Sequence, residues 1–84
     1  MEQNYYLLTF ESTHDAIASE KALGPRFPVA IMPTLRQITA ACGISLRVET
    51  PFYAALQNAL EERAIPSGSY RLYAVQGAVI AEVT

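Results

Sequence analysis

The hydrophobic and polar positions divide this chain into short elements. Residues 5–10 (Tyr5-Tyr6-Leu7-Leu8-Thr9-Phe10) are aromatic, aliphatic and β-branched, which suits a pleated, buried strand. Ser12 and Asp15 have capping-box spacing before a run of helix formers, predicting a helix over 13–23 with Ala16 and Ile17 inward. Gly24-Pro25 stops that helix. Residues 27–32 read as a second strand, and Pro28 implies a sheet edge or a late start to pairing. After Pro33, Thr34 and Gln37 again have capping-box spacing, so a short helix is expected to about Ala41. It would end at Cys42-Gly43, with the glycine free to turn left-handed. Ile44, Leu46 and Val48 alternate with Ser45, Arg47 and Glu49, a strand with one wet face. Thr50-Pro51 opens a helix over 51–64 whose inner stripe is Phe52, Leu56, Leu60 and Ala64. Pro66-Ser67-Gly68-Ser69 is a loop, 70–75 a strand, and Gly77 bends the chain before a β-prone tail over 78–83.

This order predicts an α+β fold, a ferredoxin-like βαββαβ sandwich. Two main helices would cover one face of an antiparallel sheet, with the short helix before Cys42. Leu7, Phe10, Ile17, Leu46, Leu56 and Leu60 are expected in the core. In that topology the connection carrying Cys42 shares one end of the sheet with the start of the first helix and the 65–69 loop. His14, Cys42 and Pro66-Ser67-Gly68 can then converge.

Length makes residues 1–84 a single domain. Size scaling gives a folded surface of roughly 5,000 Å² against about 13,000 Å² unfolded, enough for one modest core. Eight acids against six bases argue against a surface that tracks phosphates, so no nucleic-acid partner is expected. The single cysteine excludes an internal disulfide, a cysteine-rich zinc site and a CxxC redox pair. No spaced ligand set and no glycine-rich phosphate loop occur, so neither metal nor cofactor is expected. A lone thiol suits a reducing compartment. No apolar run approaches the roughly 20 residues of a bilayer span, and no leader pattern opens the chain, so the expectation is cytoplasmic, without membrane contact.

Cys42 is the residue whose chemistry is hardest to replace. In Ala40-Ala41-Cys42-Gly43 its neighbours are small, and a loop position would let a partner's thiol approach it. The competing reading is a small buried hydrophobe, the usual state of a free cysteine. Arg36, Arg47 and the amides opening the first helix would favour a thiolate if they point at the sulfur, whereas the C-terminal pole of the short helix opposes one, so the sequence leaves the sign open. His14, the one histidine, offers either a Cys–His pair or an exposed first-turn residue. The five tyrosines read as packing.

Three stretches together resemble a known family: residues 6–16, then Pro33-Thr34-x-Arg36-x-Ile38, then Cys42-Gly43-Ile44-x-Leu46-Arg47. They resemble the selenium/sulfur carrier protein-like family of small bacterial and archaeal domains. Members often have a second proline where this chain has Leu35, and serines where it has Ala40 and Ala41. The resemblance implies a carrier rather than an independent enzyme. Cys42 would hold sulfur or selenium as a persulfide or selenosulfide between donor and acceptor proteins. Thr34, Arg36 and Gly43 would form the supporting loop, with His14 beside it; a homo-oligomer is compatible with this role. The alternative is a non-catalytic interaction or small-ligand module, pairing through a sheet edge or the tail while Cys42 only packs.

Overall fold

The computed structural model describes residues 4–38 and 42–83. Strand β1 (Asn4–Phe10) leads into helix α1 (Thr13–Leu23), then strands β2 (Ala30–Pro33) and β3 (Ile44–Glu49). A 3₁₀ turn over Thr50–Phe52 opens helix α2 (Tyr53–Glu61), and strands β4 (Tyr70–Gln76) and β5 (Val79–Glu82) follow. The strands form one sheet in the order β2-β3-β1-β4-β5, and every neighbouring pair is antiparallel. The α+β class and the antiparallel sheet are as expected. The tail adds a fifth strand, because Gly77, at φ 59°, closes a two-residue turn that folds β5 back onto β4.

The alternation along β1 sorts the core into two layers. Leu8 and Phe10 point to the helices and pack with Leu46, Val48 and Leu72, under Ala16 and Leu23 of α1 and Leu56 and Ala59 of α2. Tyr5 and Leu7 point the other way and pack with Val75 and Ile38. The expected wet face is therefore partly covered. Leu35 and Ile38 fold back over it, shielding Leu7 completely. The folded surface is 5233 Å², close to the value expected from size.

Local signals set α1. Ser12 is extended at its N-cap, and its hydroxyl accepts from the Asp15 amide at 3.1 Å. Its inner stripe is Ala16, Ser19 and Leu23; Ile17, expected inside, is 42% exposed. A step of one residue turns a helix by about 100°, and the larger side chain lost that choice because the stripe must end on Leu23. Leu60 is half-buried at the flank of α2, where Leu56 and Ala59 take the inner positions.

Three boundaries depart from the periodicity. β2 starts at Ala30 rather than Phe27, since Pro28 has no amide hydrogen to give a ladder. α2 stops at Glu61, three residues early, in a left-handed cap at Arg63 (φ 58°). There the Ala64 amide donates to the Ala59 carbonyl at 2.9 Å and Arg63 to Leu60 at 3.1 Å, the two bonds of a Schellman motif. The short helix expected before Cys42 is absent over residues 34–38, which form a turn closed by Ile38 N–H on the Leu35 carbonyl at 3.0 Å. The remainder of that predicted helix, 39–41, lies outside the described residues.

The cap at Arg63 carries a prediction. Glycine tolerates a left-handed φ that other residues adopt only at a cost. Arg63→Gly should stabilise the fold by about 0.5–1 kcal/mol, read as a higher melting temperature.

Candidate functional site

The Phe10 end of β1 gathers the start of β3, the start of β4 and the first turn of α1. Cys42 enters there through its backbone: its N–H donates to the Phe10 carbonyl at 3.3 Å. Thr34 holds the other side. Its hydroxyl donates to the Cys42 carbonyl at 3.1 Å and accepts from the buried Ser45 hydroxyl at 2.7 Å. Its amide donates to the Gly43 carbonyl at 2.9 Å. The capping-box spacing of Thr34 and Gln37 thus misled: this hydroxyl is taken by a loop and a strand eight and eleven residues away.

The sulfur itself is buried, with Cys42 only 3% exposed and packed in the helix-side core. This corrects the expectation of a thiol on an open loop. The segment is threaded between β1 and Thr34, and its side chain falls under α1 rather than into water. The Ile44 amide donates to Sγ at 3.3 Å, and the Thr13 hydroxyl lies 3.6 Å from it. Thr13 is the first residue of α1, so the sulfur sits beside the helix end where amides are unpaired and the macrodipole is positive.

The sequence-predicted residues separate here. Thr34 and Gly43 contact the Cys42 segment through hydrogen bonds. His14 points to water, 92% exposed and 3.9 Å from Asp15, with no bond to the cysteine. Arg36 is exposed in the 34–38 turn and makes no ion pair among the described residues. The 66–69 turn begins at the same end, since Phe10 faces Tyr70 across β1–β4, but no hydrogen bond joins it to Cys42. Thr13 and Ser45 were missed. Thr13 was readable: it stands three residues before Ala16, on the side of α1 that carries the inner stripe though itself exposed, whereas His14 is rotated away.

Gly43 does not adopt the left-handed turn expected of it. It is exposed, and a Cβ placed on it meets nothing within 4 Å. Gly43→Ala should therefore be tolerated and stabilise by about 0.4–1 kcal/mol, chiefly by restricting the unfolded chain. A thermal melt of the variant checks this.

The perturbed charges lie elsewhere. On the far face of the sheet Arg47 hydrogen-bonds Glu49 and covers the Tyr5 ring at 3.9 Å. That hydrogen bond raises the Arg47 pKa and lowers that of Glu49. A lowered carboxylate pKa adds stability at neutral pH and loses it as pH falls through the folded-state value. Glu49 is exposed and Arg47 only partly buried, so solvent screening keeps the term within about 1 kcal/mol. Glu49→Gln should make acid unfolding slightly less steep below about pH 4, where an ordinary glutamate titrates.

Among the described residues no cluster of His, Cys, Asp or Glu is arranged to hold a metal ion, and no helix is long and apolar enough to cross a membrane. Fold and site define a small α+β domain with a single thiol seated against the start of a helix. The chain belongs to the family described as "Putative Se/S carrier protein-like", whose model matches residues 5–71. No curated protein and no solved structure matches it.

Proposed function

We propose that this protein carries sulfur or selenium on Cys42 and passes it to a partner protein. The sheet order β2-β3-β1-β4-β5 supports reading the scaffold as a ferredoxin-like βαββαβ sandwich with one strand added at an edge. Membership of the family supports the cargo. The observation that carries the reading to a residue is the chain's one thiol, seated between the Ile44 amide and the Thr13 hydroxyl. In loading, the Cys42 thiolate attacks the outer sulfur of a donor's persulfide. A new S–S bond forms at Sγ, the donor's S–S bond breaks, and the donor cysteine leaves as a thiolate. Delivery is the same exchange run towards an acceptor thiol. Thr34 and Gly43 hold the carrying segment, while exposed Arg36 and His14 are groups that a docking donor meets beside it.

Burial sets the kinetics of this reading. The sulfur reaches a partner only when the Cys42 segment opens from α1, a local event that costs less than global unfolding. Iodoacetamide should thus label native Cys42 far more slowly than a free thiol, yet faster than the whole domain unfolds. Intact-mass measurement after incubation with a cysteine desulfurase and cysteine should show one added sulfur, absent in Cys42→Ser.

The 3% exposure also favours a second reading, in which Cys42 is a packing residue of an interaction module. Labelling that keeps pace with global unfolding, together with no mass gain, would select it.

A further inference from the structure

The two sides of the Cys42 segment are built differently. Inward, Sγ lies 3.3 Å from the Ile44 amide and 3.6 Å from the Thr13 hydroxyl. The side chain is buried, and the residues clustered with it, Phe10, Ala16 and Leu46 among them, are apolar. Outward, the neighbouring Gly43 is exposed, and a Cβ built on it meets nothing within 4 Å. The chain is therefore crowded around the sulfur and unobstructed one residue along.

The backbone bonds are unequal too. Thr34 holds the Cys42 and Gly43 carbonyls at 3.1 and 2.9 Å. The Cys42 amide reaches the Phe10 carbonyl at 3.3 Å, just beyond the usual N–H···O range. An outward swing of Cys42 about the Thr34 contacts gives up that one long backbone bond and the Ile44 contact to sulfur.

Cargo changes the balance. A persulfide puts a second sulfur about 2 Å from Sγ. A seat packed to interior density has no slack for another atom of that size, and overpacking strains a core as truncation does. A persulfide also ionises more readily than a thiol, and both polar contacts of the seat go to the inner sulfur. The outer one would carry its charge among apolar side chains, which is costly.

We propose that this seat is a load-dependent switch: it keeps the empty thiol under α1 and turns the loaded persulfide out to the surface. An acceptor then meets exposed sulfur only on a carrier that has cargo, and an emptied carrier withdraws its thiol. The inference rests on the carrier reading for its cargo and on the packing around Sγ for its mechanics, so the two can fail separately.

The test is amide exchange, followed by NMR, on the intact protein when empty, when methylthiolated at Cys42 with methyl methanethiosulfonate, and when loaded by a cysteine desulfurase with cysteine. Exchange at the Cys42 and Ile44 amides should quicken at least tenfold in both modified forms, while the β1–β4 ladder stays as protected as in the empty protein. Removing the adduct with a reductant should restore slow exchange. Unchanged exchange at Cys42 and Ile44 in either modified form overturns the switch, because the added atoms are then housed inside. An equal rise throughout the β1–β4 ladder overturns it as well, since the adduct would be unfolding the domain rather than turning out one segment. No mass gain with the desulfurase overturns the carrier reading instead, and the methylthiolated form alone then decides the switch.

Discussion

Leu56→Ala will lower the melting temperature by about 12–24 °C. Leu56 is fully buried in the helix-side core and, with Ala59, is one of the two buried residues of α2. Truncating a buried leucine costs about 2–5 kcal/mol, and a domain of this length has only some 4–13 kcal/mol in total. At about 4–8 °C per kcal/mol, a mid-range loss of 3 kcal/mol gives the stated fall. The helix aggravates the cost. Nine residues are too few for independent helicity in water, so α2 exists by virtue of what it packs against. Amide exchange over 53–61 should accelerate with the melt. Ile17→Ala is the internal control: its side chain is well exposed, and a change within about 0.5 kcal/mol is expected. Equal effects at the two sites would show that the buried stripe has been misplaced.

On the carrier reading Cys42→Ser will abolish sulfur loading, and on either reading it will weaken the fold. Loading goes because a serine hydroxyl forms no persulfide. Stability falls because the site is buried and built for sulfur. The Ile44 amide donates to Sγ at 3.3 Å and the Thr13 hydroxyl lies at 3.6 Å, distances suited to a large atom on a long bond. A serine oxygen sits closer to its own Cβ, so both contacts lengthen while a new hydroxyl is buried. An imperfectly partnered polar group costs about 1–3 kcal/mol, and a value near the lower limit lowers the melting temperature by about 4–8 °C. An open-loop cysteine would have left stability within about 0.5 kcal/mol. A melting temperature unchanged in Cys42→Ser would therefore refute the buried seat. Loss of stability with normal loading of the wild type would fit the carrier reading; loss without any loading would fit the packing reading.

Much of the architecture was legible because its causes are local. The Ser12 hydroxyl and the amide it caps are three residues apart, and the predicted α1 limits, 13–23, are those observed. The alternation over 44–49 and the β-rich run at 5–10 identified the central strands, since a pleated strand shows its two faces every second residue. Gly77 marked the bend that gives β5. The single thiol and the absence of basic excess were likewise plain in the sequence.

What the tertiary structure decided were competitions between distant partners. Thr34 had a helix-cap role available three residues away, but Ser45 and the Cys42 carbonyl took its hydroxyl once β3 closed beside it. Ile17 and Ala16 were equally plausible inner residues until Leu23 and the sheet set the rotation of α1. Leu35 and Ile38 fell within the expected short helix; they cover the second face of the sheet instead, packing over Leu7 and Tyr5. Cys42 turned on the same kind of contest. Its small neighbours suit an open loop or a tight seat equally well, and only the approach of Phe10, Thr13 and Ile44 to one point puts the sulfur inside. Local propensity acts over three or four residues, whereas burial is the outcome of segments tens of residues apart meeting, and that information is carried by no short stretch of the chain.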